Sequence, residues 1–304
     1  MTATPTAGAA GGPPSPTQTH PRPAAHPGPA STGSRATRVI GLLALAAIGL
    51  LVLYGLVISP ADVEMADSVR LYYVHVPSAI CLALGCFITT VASALWLRRR
   101  SAGWDALAEA GGEVALVFAA ITLLTGSLWG RPTWGTYWTW DARLTSTAVL
   151  TAMLVGYLAL RRLDLDPDAR SVRAAVLGLL LLPNFVVVNR SVEWWRSLHQ
   201  ESTLFKLDPT IEGDMLVALM IGYLTFGLIF TWLMIHRFRV AWLEQAADRV
   251  DLDAALAARR AEAQAPPAEP TAATTAPEPT AATTLPEPPA SADGAAAPTE
   301  VTSR

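Results

Sequence analysis

The chain has 304 residues, of which 52 % are hydrophobic and only 15 % are charged. This composition leaves too little polar surface to coat a water-soluble globule, so it indicates a membrane protein. The formal net charge of −3, with Lys206 as the single lysine, excludes the clustered positive charge on which nucleic-acid binding depends.

Residues 1–37 are dominated by Pro, Ala, Thr and Gly and contain no apolar block. Such a segment cannot bury enough surface to offset the entropy of ordering it, so we predict a disordered tail. A signal peptide is a poor match, because the first apolar block begins only after Arg38 and is about as long as a full membrane span. His20 and His26 fall in this tail and are interpreted as solvated residues.

Six apolar blocks bounded by charged residues follow, and they predict six transmembrane helices. A bilayer core of roughly 30 Å needs about 20 helical residues, with a usual range of about 17 to 25. The third, fourth and fifth blocks lie at or just below that lower limit, where flanking arginines can reach the interface. The fold class is therefore an all-α integral membrane protein with a domain at residues 38–240. The blocks are Val39–Ile58, Val74–Leu97, Val114–Gly130, Leu144–Leu160, Ala174–Asn189 and Met215–His236.

The arginines are distributed unequally between the two ends of these blocks. Because positively charged residues favour the cytoplasmic side, the richer end is predicted to be cytoplasmic. Both termini then lie inside, and the connections at 59–73, 131–143 and 190–214 face outward. The richer end carries Arg35, Arg38, Arg98, Arg99, Arg100, Arg161, Arg162, Arg170, Arg173, Arg237 and Arg239.

The last part of the chain has two compositions. Residues 241–264 have high helix propensity and mixed charge, which predicts either an extension of the last helix or a helix on the membrane surface. Residues 265–304 repeat a Pro-Glu-Pro-Thr-Ala-Ala-Thr-Thr theme, which is typical of a low-complexity tail.

The two cysteines, Cys81 and Cys86, fall inside the second apolar block. Their five-residue spacing puts them on different faces of a helix, so we interpret them as two small buried residues rather than a disulfide or a metal pair. The chain also has no Cys-x-x-Cys-His sequence. It is therefore not a cytochrome with covalently attached haem.

The outward segment Trp129-Gly-Arg-Pro-Thr-Trp-Gly-Thr-Tyr-Trp-Thr-Trp-Asp-Ala-Arg-Leu-Thr-Ser is the most informative part of the sequence. An interfacial aromatic belt needs only a Trp or two at each boundary, and this segment is denser. Gly130 and Gly135 suggest turns that gather the rings into one platform. Such a platform suits a flat aromatic ligand such as porphyrin, with Arg131 or Arg143 able to meet a carboxylate. The rings belong to Trp129, Trp134, Tyr137, Trp138 and Trp140.

Two histidines lie on the same predicted membrane face as this segment. His75 opens the second span, and His199 lies in the connection before the sixth. Each taken alone is more often an ordinary polar residue at a membrane boundary. Together with the Trp-rich segment they favour axial ligation of a haem iron. His236, at the inner end of the last block, is interpreted as interfacial.

Other polar residues near these groups have simpler interpretations. Asp141 can cap a helix that starts near Ala142, which is a structural role rather than ligand contact. Arg143 can pair with Asp141 or reach the interface. Asn184, beside Pro183 in the fifth block, can either pack against another helix or serve function. Glu193 and Arg196 can tune His199 or contact haem propionates, and the sequence does not separate these roles.

Three motifs resemble the haem exporter protein C family, CcmC. The Trp-rich segment resembles the haem-handling motif of cytochrome c maturation proteins, and its continuation from Trp140 through Asp-Ala-Arg-Leu-Thr-Ser resembles CcmC specifically. The run from Asn189 through Arg-Ser-Val-Glu-Trp-Trp-Arg-Ser-Leu to His199-Gln resembles the family's other outward loop, and Val74-His-Val-Pro-Ser resembles its first. The resemblance covers roughly residues 38–240, without the two tails.

The resemblance implies a function in cytochrome c maturation at the cytoplasmic membrane. Haem b would be held non-covalently on the Trp-rich segment, whose matching positions include Gly135, Tyr137 and Asp141, with His75 and His199 as axial ligands. It would be handed to the haem chaperone CcmE, beside the small subunit CcmD and the transporter pair CcmA and CcmB. The chain has no Gly-x-x-x-x-Gly-Lys-Ser/Thr loop, so ATP hydrolysis would belong to such partners.

Three alternatives stay open from the sequence. A cytochrome c synthase of the two-component system also has a Trp-rich loop and flanking histidines, but it has more spans and continues differently after Trp-Asp. A membrane electron carrier with a buried bis-His haem would place its histidines within the spans. A haem-free assembly scaffold would use the Trp-rich segment as a protein docking surface.

Overall fold

The computed structural model describes residues 29, 31–163, 166–199 and 213–264. Within them the chain is helical, and the only other pairing is a single bridge between Asp62 and Ala66. Most of both predicted tails, Lys206, His20 and His26 lie outside the described residues. The chain divides into two units, Met1–Leu252 and Asp253–Arg304; the described part of the second, Asp253–Gln264, is helical and exposed.

Six long α-helices follow one another along the described chain. They are α1 (Arg35–Leu53), α2 (Tyr72–Arg99), α3 (Ala102–Trp134), α4 (Ala142–Arg161), α5 (Pro167–Trp194) and α6 (Gly213–Gln264). A short π-helix, Tyr54–Ile58, continues α1, and a 3₁₀-helix, Asp67–Leu71, precedes α2. All six helices are long and apolar enough to cross a membrane by length and composition. The predicted all-α membrane architecture is confirmed.

The helices begin where side chains satisfy their free backbone N–H groups. Ser34 and Thr37 form a reciprocal capping box at α1, and Asp166 accepts from the Ala169 amide at α5. Asp141 caps α4 by accepting from the Leu144 amide at 2.8 Å, as predicted. Residues 241–264 continue α6 rather than forming a separate surface helix.

The third and fifth helices are longer than the apolar blocks that predict them, because both continue past charged residues that bound those blocks in the sequence. In α3 these are carboxylates one turn apart that face arginines on other helices. Arg161 Nη2 lies 2.8 Å from Asp105 Oδ2 and 3.0 Å from Glu109 Oε2. Glu113 pairs with Arg237 of α6. Ion pairing therefore lets α3 extend to 33 residues.

The core lies between α2, α3, α4, α5 and α6. Phe118 of α3 is fully buried and packs against Phe226 and Phe230 of α6, with ring centroids 6.1 and 5.9 Å apart. Cys81 and Cys86 are buried and unbridged, as the sequence predicts. Most apolar side chains of α1 are exposed, which suits a helix facing lipid. This packing brings the start of α2, the end of α3, the start of α4 and the end of α5 to one end of the bundle.

Candidate haem-binding site

The Trp-rich segment is partly helical. α3 runs through Trp134 and ends at Gly135, whose φ of +78° is a left-handed conformation that glycine adopts without strain. The predicted turn at Gly130 is wrong, since Gly130 lies inside α3. A Cβ there would lie 3.1 Å from the Thr136 carbonyl oxygen. Gly130 therefore lets the segment fold back onto its own helix instead of turning the chain.

The five rings of this segment lie in separate local arrangements. Trp138 and Trp140 meet edge to face with centroids 5.4 Å apart, and Trp140 is 78 % exposed. The Trp129 ring centroid lies 5.7 Å from that of His75, and the Trp134 ring centroid lies 4.5 Å from that of His199. Each predicted axial histidine therefore has its own tryptophan partner. A single platform of stacked rings stays a prediction.

Asp141 joins the Trp-rich segment to the segment that follows α5. Besides capping α4, its Oδ2 accepts from Ser197 Oγ at 2.6 Å and from the Leu198 amide at 3.1 Å. Burial favours the protonated acid, but the hydrogen bonds from Ser197, Leu144 and Leu198 outweigh it and hold the pKa of Asp141 below 3.8. The carboxylate is therefore ionised at neutral pH.

The same carboxylate faces His199. Asp141 Oδ2 lies 3.5 Å from His199 Nδ1, and only 16 % of the His199 side chain is exposed. At that geometry Nδ1 makes no hydrogen bond to the described residues. Burial and the positive charge of Arg143 hold the pKa of His199 below 6.5, against the opposing effect of Asp141. His199 is therefore a neutral imidazole at pH 7.

His75 lies in the first turn of α2 and is half-buried. Its Nδ1 is 3.1 Å from Thr125 Oγ1 on α3. Gly126 makes room for the ring, because a Cβ there would approach His75 Cε1 to 2.9 Å. His75 and His199 are close enough for a charge on one to affect the other, and Arg143 is close to both. The fold thus gathers two histidines that are far apart in sequence.

The two predicted anion-binding arginines are engaged differently. Arg131 is exposed, donates to the Gly135 carbonyl and lies 5.7 Å from the Tyr137 ring. Arg143 Nη2 donates to the Asn189 carbonyl at 3.1 Å and so links α4 to α5. Arg131 thus stabilises the turn after α3, while Arg143 lies beside the histidines.

A surface cleft of about 640 Å³ opens beside Asp141, between α4 and α5. Its lining includes Trp140, Trp195 and Arg196. Asn184 also lines the cleft and donates to the Ser146 carbonyl at 3.3 Å, a contact that packs α5 against α4. Glu193 instead forms a 2.8 Å ion pair with Arg190.

Five of the ten buried side-chain atoms without a hydrogen-bond partner in the described part of the chain belong to these groups. They occur on two indoles of the Trp-rich segment, on one threonine hydroxyl, on the arginine beside the histidines and on one of the two imidazoles. Native proteins seldom leave buried donors unsatisfied, and such clusters mark sites that a ligand or water completes. The atoms are Trp129 Nε1, Trp138 Nε1, Thr139 Oγ1, Arg143 Nε and His199 Nδ1.

Sequence reasoning missed two residues of this site, Thr125 and Ser197. Thr125 lies in an apolar helix fifty residues from its histidine partner, and Ser197 is a serine in a connection. Thr125 carries no motif, and Ser197 lies in the motif that ends at His199 but is not distinguished there by its residue type, so only the packing of the helices identifies their partners.

The fold and the site define a class: a multi-pass membrane protein with six candidate spans in its described residues and a site of two histidines and several tryptophans at one end. The family model for CcmC, "Heme exporter protein C", matches residues 25–252. The chain belongs to the CcmC family.

Individual relatives agree with this assignment. Heme exporter protein C of Haemophilus influenzae is 34 % identical over 217 residues, which cover 69 % of this chain and 86 % of that protein. The Bradyrhizobium diazoefficiens protein of the same name is 36 % identical over 205 residues, or 66 % of this chain and 78 % of that protein. The Escherichia coli K12 protein of that name is 36 % identical over 169 residues, which cover 54 % of this chain and 67 % of that protein.

Proposed function

We propose that this chain binds haem b at the outer face of the cytoplasmic membrane and delivers it for cytochrome c maturation. His75 and His199 would ligate the iron. The observation that carries the proposal is that each imidazole packs against a tryptophan and has its Nδ1 near a polar oxygen, at 3.1 Å from Thr125 Oγ1 for His75 and at 3.5 Å from Asp141 Oδ2 for His199. The names of the relatives support haem as the cargo.

The chemistry of this donor set suits haem iron. Iron binds the lone pair of an unprotonated imidazole nitrogen. A metal-binding histidine commonly directs its other ring nitrogen to a carboxylate, hydroxyl or carbonyl, which fixes the ring orientation. His199 is neutral at pH 7 because its pKa lies below 6.5. Two such ligands would saturate the iron and keep it from oxygen chemistry.

The rest of the site suits the porphyrin. Trp129 and Trp134 offer apolar rings beside the two imidazoles, and the Nε of Arg143 is a buried donor free for a propionate. The chain has no Cys-x-x-Cys-His sequence, so the proposed attachment is non-covalent. Transient binding is what a delivery protein requires.

Delivery requires a partner to reach the bound haem. Trp140 and Tyr137 are 78 % and 57 % exposed, and exposed aromatic rings are frequent anchors of protein interfaces. We propose that they face the haem chaperone CcmE, with CcmD, CcmA and CcmB as further partners. The distribution of arginines supports an outward site with both termini inside.

The test is the visible spectrum and haem content of the detergent-purified full chain and its histidine variants. His75→Ala and His199→Ala should each abolish the bis-His spectrum. His236→Ala is the matched control, because His236 also packs on a tryptophan, Trp232 at 4.6 Å, but at the other end of the bundle. It should leave the spectrum unchanged.

Two outcomes would contradict the proposal. Unchanged haem content in both His75→Ala and His199→Ala would remove the axial-ligand assignment. Absence of haem from the folded wild-type chain under every condition would favour the haem-free scaffold. Depletion of bound haem on coexpression with CcmE and the transporter partners would support delivery.

A further inference from the structure

The hydroxyl of Thr125 has its single proton already committed. Thr125 Oγ1 lies 2.7 Å from the Ile121 carbonyl oxygen, one turn earlier in α3, and donates to it. The same oxygen lies 3.1 Å from His75 Nδ1. A threonine hydroxyl has one hydrogen and two lone pairs, so a lone pair remains for Nδ1. With the threonine proton on the Ile121 carbonyl, the hydrogen in the contact with Thr125 would be the one carried by His75 Nδ1.

The register between the two helices is fixed by a matching contact one turn away. Ser78, three residues after His75, has its Oγ 3.0 Å from Thr122 Oγ1, three residues before Thr125. Residues three apart share one face of a helix, so the two contacts form successive links between antiparallel helices. The His75 ring is also confined by Gly126, where any side chain would collide with it.

We infer that Thr125 is a positioning residue that holds His75 as the Nδ1–H tautomer and leaves its Nε2 lone pair free for iron. That the free Nε2 serves to bind iron rests on the proposed function, whereas the contact between Thr125 and His75 does not. Thr125 would touch neither haem nor iron. It would act on haem only through the tautomer and orientation of the ring.

The direct test is ¹⁵N solid-state NMR of the haem-free, full-length chain in lipid, with ¹⁵N-labelled histidine. The His75 signals are assigned by their loss in His75→Gln. Wild type and Thr125→Ser should show a protonated Nδ1 and an unprotonated Nε2 at His75. Thr125→Val, which keeps the shape but removes the hydroxyl, should show a mixture of tautomers.

Haem affinity gives the second readout. Loss of an outer partner of a metal-bound histidine typically weakens binding about 10- to 100-fold, and we expect that loss in Thr125→Val with recovery in Thr125→Ser. Thr231→Val is the matched control, because the exposed Thr231 makes the same bond to the carbonyl one turn earlier in α6 but contacts no histidine in the described structure. It should retain wild-type affinity.

The outcomes separate this inference from the proposed function. An Nε2–H tautomer in the wild type, or an unchanged tautomer in Thr125→Val, would overturn the inference even if haem binding falls. Haem retention in both histidine-to-alanine variants would overturn the proposed function. The tautomer measured without haem would still decide whether Thr125 positions the ring.

Discussion

Replacing Asp141 with asparagine separates its two structural roles. Asparagine caps helices about as well as aspartate, so the bond to the Leu144 amide should survive. The Nδ2 group would then replace Oδ2 and face two donors, Ser197 Oγ and the Leu198 amide. The serine hydroxyl can rotate and accept instead, but the amide cannot. Asp141→Asn should therefore free the Leu198 N–H while α4 stays intact.

The size of the effect follows from the lost bond. A hydrogen bond to a charged acceptor contributes about 1.5–3 kcal/mol, and each 1.4 kcal/mol changes an equilibrium about tenfold. Hydrogen exchange at Leu198 should accordingly be about 10- to 100-fold faster in Asp141→Asn. Exchange at the start of α4 should change only in Asp141→Ala, where loss of the cap costs about 1 kcal/mol.

Hydrogen exchange followed by mass spectrometry on the full chain measures both regions in one experiment. Asp166→Asn is the control, because Asp166 caps α5 and is exposed. It should leave exchange unchanged. Two results would refute the separate roles of Asp141 in capping α4 and in binding the Leu198 amide. One is equal exchange at Leu198 in wild type and Asp141→Asn, and the other is equally fast exchange at the start of α4 in the asparagine and alanine variants.

Three further predictions test other parts of the structure. A proton competes with iron for the lone pair of an imidazole, and the pKa of His199 lies below 6.5. As the pH is lowered, haem should therefore be released with a midpoint below pH 6.5. A spectral titration measures this midpoint, and a higher value would contradict the prediction. Gly126→Ala should displace the imidazole it contacts and lower haem content, whereas Gly227→Ala, with open space around its Cβ position, should not. Arg161→Met leaves buried carboxylates unpaired and should cost about 3–5 kcal/mol, seen as a lower thermal midpoint in detergent. Arg162→Met, at a side chain 66 % exposed, should cost about 0–1 kcal/mol, and equal losses would argue against the buried network.

The sequence alone determined the membrane class, the six helices and the concentration of tryptophans and two histidines at one end of them. These features depend on local composition: an apolar run of span length predicts a helix wherever it packs. The cap at Asp141 was also predictable, because an N-cap acts on amides only two or three residues away. The start of α3 was less predictable, since Glu113, which the sequence marks as a boundary, lies inside the helix and pairs with Arg237.

Only the tertiary structure decided which side chains meet across the helices. Thr125 and His75 are fifty residues apart, and Ser197 and Asp141 are fifty-six apart. Such pairs depend on the register of packed helices, which residues such as Gly126 permit by leaving space that no local pattern reports. The sequence therefore indicated histidines suited to ligation, whereas the packing decided which ring nitrogen each of them directs to a partner.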